Sequence, residues 1–153
     1  MPVPEFENFG NLPAGVHESN LVEVESRFAY NAKRVRLLDG FRDACRSLKQ
    51  AGCSRVYLDG SFVSVKPEPG DFDACWEANN NVDPDLLEPE LLDFRNGRKA
   101  QKARFGGELF LADEVADFDL SGKPILFVAF FQRDKITRAV KGIIAVDLNK
   151  EQL

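Results

Sequence analysis

The residues of this chain best suited to chemistry are two aspartates one position apart, Asp71 and Asp73. In a β-strand, positions i and i+2 project from the same face, so the two carboxylates would lie side by side, with Phe72 on the opposite face. Neighbouring carboxylates repel each other, and a divalent cation between them removes that conflict. Enzymes acting on nucleotides hold Mg²⁺ with one or two carboxylates together with substrate phosphates. The spacing therefore predicts a site for Mg²⁺ or Mn²⁺.

A glycine-serine pair, Gly60-Ser61, is the candidate second half of this site. Glycine lets the backbone approach a phosphate closely, and the serine hydroxyl and following amides can donate hydrogen bonds to its oxygens. Lys66 is the first cation available after the turn. We therefore take Gly60, Ser61 and Lys66 as candidate nucleotide-binding residues. The alternative is structural, because Gly-Ser is a common dipeptide and Asp-x-Asp often begins a solvated strand.

Apolar segments bounded by turn residues place these motifs on neighbouring strands. Residues 56–58 and 72–76 are predicted to be strands, separated by a loop that contains Pro67, Pro69 and Gly70. Residues 108–111 and 142–148 are predicted as a third and a final strand in the same way. The core strands would thus bring the aspartates and the glycine-serine turn together.

Two helices are predicted before the first of these strands. Ser19 is expected to cap the first helix. The second has apolar residues three and four positions apart, which leaves Arg34 on the solvent side. Its expected buried face consists of Val35, Leu38, Phe41, Cys45 and Leu48. Gly52 follows as the expected C-terminal cap.

Two later segments are predicted as helices. Pro84 opens one that would run to Leu91 or Phe94. Residues 125–131 form an apolar run that suits a buried strand or a buried helix. Pro124 before this run, and Arg133 and Lys135 after it, favour the helix.

The chain organisation is that of one domain with an arm. Residues 1–17, rich in proline, glycine and asparagine, are expected to form an extended N-terminal arm held by aromatic residues such as Phe6 and Phe9. Residues 18–153 would form a single domain. Because helices and strands alternate irregularly, the predicted class is α/β or α+β, with a mixed sheet flanked by helices.

Composition excludes several classes of protein. Of 153 residues, 44% are apolar and 29% are charged, with no apolar run near the ~20 residues of a membrane span. Three widely spaced cysteines and one histidine make a zinc site improbable and fit reduced thiols in the cytoplasm. The net charge is −5, but residues 95–104 carry five cations and no acid. That stretch is either a solvated helix face or a phosphate-binding surface.

At two places the chain resembles the nucleotidyltransferase superfamily of DNA polymerase beta, especially its minimal bacterial members. That pattern is a glycine-serine turn, a short loop, and an aspartate-x-aspartate on a strand, as at 58–61 and 71–74 here. More narrowly, nearly the whole chain resembles an uncharacterised family of small bacterial proteins of this type. The segments that carry this resemblance are 3–6, 12–17, 57–63, 70–76, 106–110 and 130–148.

The resemblance implies a role for each matching residue. Gly60 and Ser61 would hold the triphosphate of an NTP, while Asp71 and Asp73 would bind Mg²⁺. A third carboxylate, which would bind the metal and take part in catalysis, belongs on the next core strand, and Glu108 fits that position. Asp113 and then Asp119 are the alternatives to Glu108. The third residue is usually an aspartate in this superfamily, so the chain departs from the pattern here.

The resemblance also implies an activity, namely Mg²⁺-dependent transfer of a nucleoside monophosphate from an NTP to a hydroxyl of RNA, such as tRNA, or of protein. By analogy with minimal members, a cognate toxin or antitoxin protein is an expected partner. Two alternatives remain. One is a non-catalytic binding module or antitoxin-like partner with this fold, and the other is a structural domain without a ligand.

Overall fold

The computed structural model describes residues 3–7, 10–134 and 139–153, which form a mixed α+β domain. The class predicted from the sequence is confirmed. The strands are β1 (Val16–Ser19), β2 (Arg55–Asp59), β3 (Phe72–Trp76), β4 (Gly107–Leu111), β5 (Val115–Phe118), β6 (Pro124–Leu126) and β7 (Ile143–Asp147). The helices are α1 (Leu21–Phe28), α2 (Ala32–Gln50), α3 (Arg95–Phe105) and α4 (Phe127–Phe130).

The main sheet has five strands in the order β1-β7-β2-β3-β4. It is mixed, because β2 runs antiparallel to β3 and β7, whereas β4 is parallel to β3 and β1 is parallel to β7. The three strands predicted to carry the site are therefore neighbours, as expected. Strands β5 and β6 form a separate two-stranded sheet after β4.

The two faces of the main sheet are covered differently. One face packs against α1 and α2, and its strand residues include Leu58, Phe72 and Ile144. The other, which we call the outer face, is partly covered by aromatic residues of α4, with Cys75 and Phe110 beneath them. Side chains alternate between the faces along each strand, so neighbours of Phe72 and Leu58 along the chain belong to the outer face.

Helices α1 and α2 correct the sequence analysis in two details. Asn20, rather than Ser19, caps α1, because Ser19 is the last residue of β1. In α2, Val35 is 43% exposed and Arg34 is fully buried, the reverse of the expected arrangement. Gly52 follows the helix with a φ of +101°, as the predicted end requires.

Two predicted helices were only partly right. Residues 84–94 form two short 3-10 turns, Pro84–Leu86 and Pro89–Leu92, instead of one α-helix. Pro89 accounts for this, because a proline inside a helix lacks the N–H group and clashes with the preceding turn. In the run 125–131, the first residues pair with β5 as β6, and only Phe127–Phe130 is helical. Lys135, which favoured the helix, lies outside the described residues.

The N-terminal arm joins the sheet at its end. Val16 and His17 pair with β7 as part of β1, and Leu12 is buried. The ring of Phe6 lies 6.2 Å from that of Phe28, as expected of an aromatic anchor. Phe9 lies outside the described residues. None of the described helices has the length and apolar character needed to cross a membrane.

Candidate functional site

Three carboxylates lie in register on neighbouring strands. Asp73 on β3 is the direct partner of Asp59 on β2 and of Glu108 on β4. Directly opposite residues project from the same face of a sheet, and adjacent strands are about 4.8 Å apart. We call Asp59, Asp73 and Glu108 the carboxylate row. It crosses the outer face over about 10 Å.

The alternation along β3 places the row on the outer face. Phe72 and Ala74 are buried against the helices, whereas Asp73 between them is half-buried. Asp71, immediately before the strand, is half-buried as well. The predicted separation of the two aspartates from Phe72 therefore agrees with the burial pattern.

The glycine-serine turn lies directly against Asp73. Gly60 has a φ of +75°, and a Cβ atom built on it would lie 2.3 Å from Asp73 Oδ2. Only glycine fits such a contact, and its backbone conformation disfavours other residues. Ser61 belongs to the short 3-10 turn Gly60–Val63 that follows β2, and its carbonyl accepts a bond from Ser64 Oγ at 2.7 Å. The turn thus adjoins Asp73, as predicted.

Gly60→Ala is expected to displace the Asp73 carboxylate and to strain the backbone, because the new methyl group would overlap Oδ2. The left-handed conformation alone costs about 1–2 kcal/mol for a non-glycine residue. Thermal denaturation should show a lower melting temperature and a smaller stabilisation by Mg²⁺ with an NTP. Gly70→Ala is the matched control, since no atom lies within 4 Å of its Cβ position. Equal effects of the two substitutions would contradict this account of Gly60.

The loop after the turn is held by a buried arginine that the sequence analysis placed in solvent. All of the guanidinium N–H groups of Arg34 donate to backbone carbonyls. The acceptors are the carbonyls of Phe28, Phe62, Ser64, Lys66 and Pro67. Burial lowers the pKa of Arg34. Four of the five carbonyls lie in residues 62–67, so Arg34 fixes the path of the candidate nucleotide-binding loop.

Lys66 lies within this clamped loop. Its carbonyl accepts a bond of 2.5 Å from Arg34 Nη2, and its side chain is exposed. The structure thus fixes the backbone of Lys66 and leaves the ammonium group in solvent.

Glu108 occupies the predicted place of the third carboxylate, on the strand next to Asp73. Its Oε1 lies 3.4 Å from Lys102 Nζ on α3. The Glu108 side chain keeps 23% of its surface exposed and that of Lys102 keeps 45%, so this ion pair contributes little to stability. Glu108 would exchange this partner for a metal ion at small cost.

The alternatives to Glu108 lie elsewhere. Asp113 is in the turn that follows β4, at the end of the strand opposite to Glu108. Asp119 is in the hairpin between β5 and β6, where Oδ1 accepts bonds from Ser121 and Lys123. The hydroxyl of Ser121 lowers the pKa of Asp119. Asp119 therefore stabilises a turn of the second sheet, and it is not on a strand next to Asp73.

The acidic residues at this site can be compared with the ligands that Mg²⁺ requires. Within residues 3–7, 10–134 and 139–153, no group of three His, Cys, Asp or Glu side chains is close enough to hold a metal by itself. Mg²⁺ in nucleotide enzymes needs only one or two carboxylates, because substrate phosphates and water complete its shell. Asp71 and Asp73 meet that lesser requirement. Glu108 would bind the same ion only after its ion pair with Lys102 is broken.

The sequence analysis gave no role to Asp59, which is fully buried beside Asp73. A signal was present, because an acid ends the apolar segment at 56–58 immediately before Gly60. Burial of such a residue beside a second carboxylate needs the pairing of β2 with β3, which the sequence alone does not define.

The three cysteines are free and buried, as expected of reduced thiols. Burial raises the pKa of Cys75 well above its ordinary value, and the nearby Asp59 carboxylate raises it further. The thiol of Cys75 is therefore protonated at neutral pH and is a poor nucleophile. It serves as a small apolar residue under α4.

A cavity of about 870 Å³ lies away from the carboxylate row, between α1 and the C-terminal residues 147–153. Two of the cations that line it are paired, Arg42 with Glu25 and Arg46 with Asp43. Neither the glycine turn nor the carboxylate row contributes to its lining.

Comparison with known proteins gives a family but no activity. Searches among curated proteins and among solved structures found no match. A family model matches residues 4–147, which include every element from β1 to β7. The chain belongs to that family, DUF6932, which is described as a family of unknown function.

Proposed function

We propose that the protein is a Mg²⁺-dependent nucleotidyltransferase, similar in its site to minimal members of the DNA polymerase beta superfamily. The observation that supports this best is the position of Asp73. It lies in register between Asp59 and Glu108, and the Gly60 turn contacts its carboxylate. A glycine turn that a phosphate can approach closely, next to the carboxylate row, suits binding of a metal–triphosphate complex.

Each residue has a defined role in this proposal. Gly60 and Ser61 bind the triphosphate, and Asp71 and Asp73 hold Mg²⁺ or Mn²⁺, which neutralises charge on the phosphates. Glu108 assists deprotonation of the acceptor hydroxyl. The hydroxyl oxygen then bonds to the α-phosphorus, the bond to the bridging oxygen breaks, and pyrophosphate leaves with that electron pair.

The partners follow from the same chemistry. The donor is an NTP, and the acceptor is a hydroxyl of RNA, such as tRNA, or of protein. A cognate toxin or antitoxin protein is proposed by analogy only. We place the protein in the cytoplasm, because its three buried cysteines are unpaired thiols.

A second candidate is a non-catalytic binding module with the same fold. The observation that favours it is the separation of Glu108 from the other acids, since within residues 3–7, 10–134 and 139–153 no three such side chains are close enough to hold one metal ion. Such a module would bind Mg²⁺ and NTP at Asp71 and Asp73 without turnover.

The two candidates separate in a labelling experiment. The protein is incubated with each α-³²P-labelled NTP, Mg²⁺, bulk tRNA and cell lysate, and Asp73→Asn is run in parallel. The proposed enzyme labels an acceptor in a reaction that needs Mg²⁺ and Asp73. Nucleotide binding without any labelled acceptor favours the module.

A further inference from the structure

Arg98 is presented by an unusual backbone segment at the start of α3. Asn96, Gly97 and Arg98 have φ values of +53°, +63° and +59°, a complete left-handed turn. Left-handed residues normally occur singly, because the conformation costs about 1–2 kcal/mol for each non-glycine residue. A segment of this kind persists where the surrounding structure holds it, often at a binding site.

The turn brings Arg98 to the outer edge of the sheet. Strand β4 is the last strand at that edge. The backbone N–H and carbonyl of Leu109 on β4 form hydrogen bonds with side chains of α3. Gln101 Oε1 accepts from Leu109 N at 2.7 Å, and Arg98 Nε donates to Leu109 O at 3.3 Å. One nitrogen of Arg98 therefore has a structural role as a cover of the strand edge.

The terminal nitrogens of Arg98 have no such partner in the described part of the chain. The centre of the guanidinium lies 3.7 Å from the ring centroid of Phe110 and 5.0 Å from that of Phe94. Phe110 and Glu108 project from the same face of β4, two residues apart. Burial lowers the pKa of Arg98 and the Glu108 carboxylate raises it, in agreement with this placement.

The neighbouring cations of the basic stretch are largely neutralised. Lys102 pairs with Glu108, Arg95 with Asp93, and Arg104 lies near Glu88 and Glu90. Of the five cations at 95–104, Arg98 and the exposed Lys99 thus have no ion-pair partner among the described residues. A broad cationic surface is thus absent from this part of α3, and Arg98 differs from Lys99 in lying over the ring of Phe110 and near that of Phe94.

We propose that Arg98 binds a phosphate of the acceptor, and that the acceptor is therefore a single-stranded RNA end and not a protein hydroxyl. The inference rests on the proposed function. Gly60 follows Asp59 on β2 and lies against Asp73, whereas Glu108 is the β4 end of the carboxylate row. A donor triphosphate at Gly60 therefore leaves the Glu108 end for the acceptor hydroxyl. Arg98 lies just beyond that end. With the terminal hydroxyl at Glu108, the phosphodiester that links the terminal nucleotide to the rest of the RNA would lie near Arg98. Phe94, 39% exposed, offers a ring on which a base can stack.

The test measures binding of a short single-stranded RNA by fluorescence anisotropy, without Mg²⁺ or NTP. Arg98→Gln is the decisive variant, because its amide nitrogen takes the place of Nε and can still donate to Leu109 O. Lys99→Gln removes the same charge from the adjacent, exposed position. A second RNA has an uncharged methylphosphonate as its last linkage, so the proposal is tested on the unaltered protein too.

We expect Arg98→Gln to weaken RNA binding about tenfold or more, as for loss of a hydrogen bond between charged groups. Lys99→Gln should change it about twofold or less, as for a solvated cation. The methylphosphonate should weaken binding to the wild type and cause no further loss in Arg98→Gln. Mg²⁺·NTP binding should be unaltered in Arg98→Gln.

Three results would overturn the proposal. The first is equal RNA affinity of Arg98→Gln and Lys99→Gln, which would make Arg98 a cover of the strand edge alone. The second is equal loss of RNA and Mg²⁺·NTP binding in Arg98→Gln, which would assign Arg98 to the donor nucleotide. The third is a wild-type protein that binds neither RNA. Failure of the enzyme itself is distinct, because it abolishes transfer and leaves RNA binding dependent on Arg98.

Discussion

Glu108→Gln is expected to lower the turnover of nucleotidyl transfer about 10²- to 10³-fold, the scale seen when a catalytic electrostatic group is removed. Glutamine keeps the size of the side chain but cannot accept the proton of the acceptor hydroxyl. Binding of Mg²⁺·NTP should change little, because Asp71, Asp73 and the Gly60 turn remain. Single-turnover kinetics and a separate binding titration measure the two effects independently.

Glu114→Gln provides the matched control, since Glu114 is exposed in the turn after the same strand. Its turnover should equal that of the wild type. If Glu108→Gln kept the wild-type turnover, Glu108 would have no catalytic role. Asp113→Asn would then test the remaining alternative, although Asp113 lies beyond the far end of β4.

Arg34→Met is expected to lower the free energy of unfolding by about 3 kcal/mol or more. The substitution leaves several buried carbonyls without a donor, and each such loss costs about 1–3 kcal/mol before the loop relaxes. Since four of these carbonyls belong to residues 62–67, the variant should also weaken NTP binding at the adjacent turn. Urea denaturation and NTP titration are the measurements.

Arg36→Met is the control for Arg34→Met, because Arg36 is exposed on the same helix. Its stability should stay within about 0.5 kcal/mol of the wild type. Arg34→Lys keeps the charge but offers one ammonium in place of a planar fork, so an intermediate stability is expected. If Arg34→Met proved as stable as Arg36→Met, Arg34 would not hold the loop.

The strands that carry the candidate site were predictable from the sequence. Their buried runs are short, apolar and partly aromatic, and each follows a glycine, so 72–76 and 108–111 agree with the structure within one residue. Asp71 and Asp73 were found because their spacing equals the period of a strand. The contact between Gly60 and Asp73 then followed from pairing of the two strands beside the turn.

Other features depend on tertiary contacts that periodicity does not encode. Arg34 is as polar as its solvent-facing neighbours, and only the loop carbonyls of 62–67 explain its burial. Strand β5 is short and mostly exposed, so it has no apolar alternation to detect. The left-handed segment 96–98 begins with Asn96-Gly97, a pair typical of turns, but its sequence does not indicate that Arg98 also adopts this conformation.

The most direct test of the central claim is calorimetric titration of Mg²⁺·NTP into the wild type and into the Asp71→Asn, Asp73→Asn double variant. The account predicts binding to the wild type that requires the metal, and its loss in the variant, while the circular dichroism spectrum of the variant stays that of a folded protein. Equal binding by the two proteins, or no binding by the wild type to any of the four NTPs, would contradict the proposed nucleotidyltransferase site.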